Sequence, residues 1–257
     1  MRLRIGLLIY GSLETLSGGY LYDRLLVGYL REQGHTVTIV SVPWQNYVRH
    51  LGHNFAPALR HALATADFDL LLQDELNHPS LVWLNQWLRG RVRYPLISIV
   101  HHLRCSELRP AWQNAIYRPI ERRYLRSVDG FIFNSATTKQ TVEALIGSLP
   151  PHTIAYPAGD RFPEAAEASQ NLPHKLERLG PLRLLFVGNI IPRKGLHTLL
   201  NALERAQLPG GEPVLHAGHA TAGGAKSLAT AGALLGGAEP CRVGRAFFGR
   251  APAHRPL

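Results

Sequence analysis

Short apolar runs, bounded by polar or glycine-bearing stretches, recur along this chain, and between them lie segments whose apolar residues return every three to four positions. The first pattern predicts strands covered on both faces, the second amphipathic helices that pack onto them. Arg2–Tyr10 reads as a strand, Gly11–Gly19 as a glycine-bearing loop, and Tyr20–Gln33 as a helix stopped by Gly34. Strands at His35–Val42, Asp69–Gln73, Pro95–Val100 and Gly130–Phe133 alternate with helices at Phe55–Ala66, Pro79–Arg89, Pro110–Val128 and Ser135–Ile146. Such alternation implies right-handed crossovers and a doubly wound parallel sheet. The expectation is an α/β fold whose N-terminal domain, over residues 1–160, is Rossmann-like.

A polar, proline-bearing stretch over 161–180 reads as a linker. A second βα unit then begins, over residues 181–209. Leu182–Val187 is apolar apart from Arg183, and Gly188 breaks the run. Leu196, Leu199, Leu200 and Leu203 follow at i, i+3, i+4 and i+7, one helical face. The turn between strand and helix carries Arg193 and Lys194. Backbone amides at a helix start, the positive end of its dipole and a nearby ammonium suit a diphosphate, and a surface loop with two solvated cations is the plainer alternative.

Composition changes abruptly after this unit. Residues 210–257 hold 10 Gly and 11 Ala among 48 residues and no Ile, Asp, Asn, Gln, Tyr or Trp, a poor supply for strands and helices. The expectation is an aberrant Gly/Ala-rich tail, from a frameshift near residue 210 or a truncated gene, which leaves the second Rossmann-like domain incomplete. Gly224–Ser227 resembles the end of a phosphate-binding loop, but Ala225 stands where that loop requires glycine. His216 and His219 have H-x-x-H spacing and no further ligands in the same stretch.

Hydrophobic residues make up 46% of the 257, which suits globular cores, and no apolar run is long enough to span a bilayer or form a signal-peptide core. Cys105 and Cys241 have no metal or redox spacing. The expectation is a cytoplasmic protein. A net charge of +10 favours polyanionic partners without choosing among them, and no nucleic-acid partner is expected. The segment Pro110–Val128 interleaves Arg118, Arg122, Arg123 and Arg126 with Trp112, Ile116, Ile120, Tyr124 and Leu125. A packed helix with a solvated face is the preferred reading, and peripheral contact with an anionic membrane, at its inner face, is the other.

Ligands of doubly wound sheets bind beyond the carboxyl ends of the strands. Asp67 and Asp69 precede their strand and lie at the wrong edge for a metal site; none is expected. Asp74 and Glu75 lie at the correct edge, with a solvated loop as the preferred reading. His101 and His102 follow a strand directly, where an imidazole reaches a sugar hydroxyl or a leaving diphosphate, a structural histidine being the alternative. Glu107 is a further acceptor-side candidate. Gly18 and Gly19, after Ser17, open a helix where a ligand can approach the backbone. Ser135 reads as a helix N-cap, with Thr138 in the first turn.

The pattern V-G-N-x-x-P-R-K-G-L before a leucine-rich helix resembles the nucleotide-binding domain of retaining GT-B glycosyltransferases of family 4. The resemblance extends over Met1–Leu208 through the glycine loop, the histidine ending a middle strand, N-S-x-x-T at Asn134–Thr138 and P-A-G-D-R-F at Pro157–Phe162. It implies a GT-B fold, a nucleotide-diphosphate sugar as donor substrate with no cofactor, and a saccharide, lipid-linked or small-molecule acceptor. Lys194 matches the lysine that grips the donor diphosphate, Arg193, Gly188 and Asn189 joining it, and His101 matches a histidine that contacts the donor sugar. The family often has arginine where Asn189 stands. Its acidic E-x-x-G-x-x-x-x-E element has no match in 210–257, so a catalytically dead fragment or binding module is the alternative expectation.

Overall fold

The computed structural model describes residues 1–107, 109–157, 183–187, 194–205 and 214–218, in two compact units, Met1–Gly159 and Asp160–Leu257. In the first unit the described strands are β1 (Arg4–Tyr10), β2 (Thr36–Val42), β3 (Leu70–Asp74), β4 (Leu96–Val100), β5 (Gly130–Phe133) and β6 (His152–Ile154). They form one sheet in the order β2-β1-β3-β4-β5-β6, every pairing parallel. Its helices are α1 (Gly18–Glu32), α2 (Tyr47–His53), α3 (Pro57–Ala64), α4 (His78–Leu81), α5 (Leu84–Leu88), α6 (Ala111–Leu125) and α7 (Ala136–Ile146). This is the doubly wound α/β arrangement expected from the alternation.

Side-chain alternation on β1 assigns its residues to two cores. Ile5, Leu7 and Ile9 join Leu72 and Ile99 beneath Tyr20 and Val27 of α1. Leu8 and Tyr10 face the other layer with Leu71, Val100, Phe131, Phe133, Tyr124 and Val142. Each fully buried aliphatic side chain contributes about 1.5–3 kcal/mol of transfer free energy, and a Leu-to-Ala change in either core costs about 2–5 kcal/mol. Gly6 leaves no room on the strand: a Cβ there would lie 2.6 Å from Phe68 Cε2 and 2.8 Å from Leu71 Cδ1.

Several polar side chains inside the layers are paired. Gln73 and Asn85 exchange two amide hydrogen bonds of 2.9 Å, and Asn85 also donates to Ser127 Oγ at 3.0 Å. Tyr124 Oη donates to Ser98 Oγ at 3.0 Å. An orphaned amide here would cost about 1–3 kcal/mol, so these pairs fix which faces of α5 and α6 turn inward.

Several boundaries move. α1 starts at Gly18 rather than Tyr20, because Ser17 Oγ caps it by accepting from the Tyr20 amide. The helix expected over Pro79–Arg89 is two short helices, α4 and α5. The stretch between β2 and α3, to which the sequence assigned no element, contains α2, capped by Asn46 accepting from the Arg49 amide at 2.9 Å. α6 carries Pro119 in its interior; the proline is exposed and the helix continues through it.

The second unit contains β7 (Arg183–Val187), α8 (Leu196–Arg205) and β8 (Val214–Gly218), with β7 and β8 parallel. Leu196 is buried and Leu199, Leu200 and Leu203 half-buried, while His197, Thr198 and Asn201 are exposed, so the leucine stripe is the inner face of α8. β8 is a correction: a strand forms within 210–257, where composition argued against one. Val214 and Leu215 pair with Arg183 and Leu184 despite the small residues around them.

Candidate functional site

The strand order reverses beside β1: β2 lies on one side of it and β3 on the other. At such a switch point the loops leaving β1 and β3 diverge and open a crevice at the carboxyl edge. Gly18 and Gly19, at the start of α1, follow the β1 loop; Asp74 ends β3; His101 follows β4 directly.

These residues meet. His101 Nε2 lies 3.5 Å from Asp23 Oδ1, with the Asp23 side chain fully buried and that of His101 13% exposed. The separation is at the outer limit of a hydrogen bond and lacks its alignment, so the pairing is electrostatic. Asp23, Asp74 and His101 bring one donor atom each within 4.8 Å of one another. Burial pushes the Asp74 carboxyl up to about 7; the charge of Asp23 adds to the rise, and His101 and the Leu76 amide oppose it. Burial alone would depress the His101 imidazole, but its contact with Asp23 and the charges of Asp74 and Asp23 outweigh that and raise it. At this edge an imidazole thus has its protonated form favoured by two buried acids.

Other groups hold His101 in place. The Asn134 side-chain amide donates to the His101 carbonyl at 3.0 Å, and Thr138 Oγ1 lies 3.3 Å from the same oxygen and 2.7 Å from Asn134 Oδ1. Ser135 caps α7 as expected, accepting from the Thr138 amide at 3.1 Å. The N-S-x-x-T segment thus starts a helix and also anchors the loop after β4. Tyr22 packs edge-on against the imidazole, ring centroids 5.1 Å apart. A Cβ on Gly19 would sit 3.2 Å from His101 Cδ2, whereas Gly18 faces open space. Glycine at 19 makes room for the histidine ring.

His102 and Glu107 are also brought together, His102 Nε2 lying 2.9 Å from Glu107 Oε1. Partial burial would raise the Glu107 carboxyl, but hydrogen bonds from Arg109 and His102 outweigh it and hold it below the usual range. Nearby, the Arg104 guanidinium lies 5.0 Å from the Tyr47 ring centroid and 4.7 Å from that of Tyr117. Flat aromatic faces and a cation beside a histidine and a carboxylate suit a polyhydroxylated ligand.

The solvated-loop reading of Asp74 and Glu75 is overturned: both are buried, at 3% and 4% exposure. The chain turns inward after β3, where Asp74 Oδ1 accepts from the Leu76 amide at 3.0 Å. Glu75 packs with His78 and Glu121, donor atoms again within 4.8 Å of one another. Glu121 Oε1 and Oε2 accept from the Arg104 and Cys105 amides at 2.7 and 2.9 Å. Burial pushes Glu75 and Glu121 each up to about 8, and His78 down to about 4. Near neutrality one carboxyl carries a proton it can donate to the other. Each trio has the donor atoms to surround a cation, and a proton meets the same charge.

Sequence reasoning missed Asp23, Glu121 and His78. A signal existed for two of them. Asp23 falls between Tyr20 and Val27, and Glu121 three and four residues before Tyr124 and Leu125, so both acids sit on the apolar stripe of their helix. Asp67 and Asp69 instead lie at the amino edge and brace Arg4: Asp69 Oδ2 accepts from the Arg4 amide at 2.7 Å, and Asp67 pairs with the guanidinium. Lys194 is exposed directly before α8, followed by Gly195 at φ 72°, a conformation that favours glycine. Arg193, Gly188 and Asn189 lie outside the described residues.

Comparison with known proteins places these observations. The family model for Glycosyltransferase Family 4 matches residues 22–157. An O-antigen chain mannosyltransferase C from Escherichia coli is 34% identical over 103 residues, covering 38% of this chain and 28% of the relative. The D-rhamnosyltransferase WbpZ of Pseudomonas aeruginosa is 35% identical over 94 residues, covering 37% and 25%. The chain thus matches about a quarter of the length of these curated relatives. A crystal structure of alpha,alpha-trehalose 6-phosphate synthase from Burkholderia multivorans superposes with TM-score 0.54 at 17% identity, over 86% of this chain and 64% of that one. This last likeness is one of fold, the GT-B arrangement.

Proposed function

The chain belongs to glycosyltransferase family 4, and on that premise we propose that it transfers a hexose from a nucleoside-diphosphate donor to a saccharide, lipid-linked or small-molecule acceptor, with retention of configuration. The observation that carries the proposal is the imidazole of His101 at the switch point, 3.5 Å from the buried Asp23 and grouped with Asp74, which favour its protonated form. There it would donate a hydrogen bond to the donor sugar or to the oxygen that leaves with the diphosphate. The mannosyl and rhamnosyl activities in the relatives' names support a hexose donor.

Charge developing on the departing diphosphate would be met by Lys194, Arg193 and the amides that open α8, joined by Gly188 and Asn189, and without a required metal. Gly18, open on its Cβ side at the start of α1, would let a phosphate approach the backbone. The acceptor would lie against His102, Glu107, Tyr47 and Tyr117, with Arg104 beneath the two rings. Release of nucleoside diphosphate from a panel of sugar nucleotides tests the reading, comparing the 257-residue chain with His101→Ala. A fall of about 100-fold or more is expected. Turnover unchanged by the substitution would remove His101 from the chemistry, and donor binding without turnover would favour the binding-module alternative.

A further inference from the structure

The solvent face of α6 is divided between two chemistries. Its first half exposes Trp112 at 63% and Ile116 at 52%, four residues apart and so neighbours on one helical face, which makes them a small apolar patch. Its second half exposes Arg118, Arg122, Arg123 and Arg126, and the one acid of the helix, Glu121, is buried on the opposite side. Beside the arginines runs an open groove of about 700 Å³, closed across from α6 by Arg89 and Gln86. Arg123 donates to Gln86 Oε1 at 2.7 Å and Arg126 to the Ile146 carbonyl at 3.1 Å. None of these five arginines forms an ion pair with a carboxylate among the described residues.

We propose that this face docks on an anionic phospholipid bilayer, Trp112 and Ile116 entering the headgroup boundary while the arginines of the groove engage lipid phosphates. A small soluble anion would explain the groove but not the exposed tryptophan and isoleucine beside it. A bilayer explains both, since aromatic rings settle at headgroup level and arginine stems lie along the interface with their heads on phosphate. The face is about 22 Å long, from fifteen helical residues. α6 runs from the carboxyl edge after β4 toward the amino edge before β5, so its tryptophan end is the end nearer His102 and Glu107. A membrane held there brings lipid-linked acceptors to that edge; this extension, unlike the docking itself, rests on the transferase reading.

Cosedimentation of the 257-residue chain with vesicles tests the proposal without reference to turnover. Binding to mixed phosphatidylcholine and phosphatidylglycerol vesicles is expected, with little to pure phosphatidylcholine, and it should weaken as salt is raised. Each arginine near an anionic surface is worth about fivefold in affinity, so the exposed pair Arg118→Glu and Arg122→Glu together should lose more than about 25-fold. Trp112→Ala with Ile116→Ala should lose at least about tenfold, with circular dichroism confirming that each variant folds. Equal binding to both vesicle types, or none to either, overturns the proposal. So does displacement by inorganic phosphate beyond that by chloride of equal ionic strength, which would mark a small-anion site. Variant-sensitive binding of a single-stranded oligonucleotide, with no vesicle binding, would overturn it in favour of nucleic acid.

Discussion

Glu75 and Glu121 make a prediction that isolates one buried proton. Glu75 Oε1 finds no hydrogen-bond donor, while both oxygens of Glu121 accept from the amides of the turn after β4. With burial placing each carboxyl at about 8, the pair must hold a proton at neutral pH. Glu75→Gln supplies a permanent N–H where the wild type needs that proton, leaving the Glu121 bonds to Arg104 and Cys105 intact. A carboxyl whose folded pKa is raised contributes stability that is complete below its unfolded value, near 4.5, and is lost as pH rises through 8. At 1.36 kcal/mol per unit, the interval corresponds to a ceiling of about 5 kcal/mol for one proton. Relaxation and water entry reduce this, and a gain of at least about 2 kcal/mol for the variant relative to wild type is expected between about pH 5 and pH 8.5. Urea unfolding of both proteins across that range measures it, and the difference cancels the opposing contribution of His50, which burial depresses to about 4. A variant-minus-wild-type difference that stays constant from acid to alkaline pH would refute the shared proton.

Asp23→Asn removes a charge that favours the protonated His101 imidazole, so the NMR titration of His101 should move to lower pH; an unmoved titration would show that the 3.5 Å contact carries no coupling. Gly19→Ala should shift the His101 ring resonances and cost about 1 kcal/mol, whereas Gly18→Ala, opening on free space, should be neutral or stabilising by a few tenths. Equal effects at the two positions would mean that His101 does not rest on α1.

The alternation of strands and helices was readable because each element carries its own period. The leucine stripe of α8 and the Ser135 cap are local patterns that tertiary structure did not override. The position of His101 followed from a rule about sheet edges. What escaped depends on partners distant in the chain. α2 has seven residues, too few to display a period, and its His50 is buried by stacking on Tyr10 with ring centroids 3.9 Å apart. Asp74 and Glu75 looked solvated because acids usually are; their burial depends on Asp23, His101 and Glu121, contributed by α1, the β4 loop and α6. Asp23 and Glu121 were legible in principle, as acids on apolar stripes, a conflict between local pattern and charge of the kind that marks functional or strained places. β8 formed where composition argued against it, since five residues with two large aliphatics are enough to pair with an existing strand.

The most direct test of the central claim is the affinity of nucleoside diphosphates, by isothermal titration, for the 257-residue chain and for Lys194→Ala. A charge-assisted contact to phosphate contributes about 1.5–3 kcal/mol, so binding by the wild type and a loss of about 10- to 100-fold in the variant are predicted. Equal affinity of the two proteins would contradict the placement of the donor diphosphate at the start of α8.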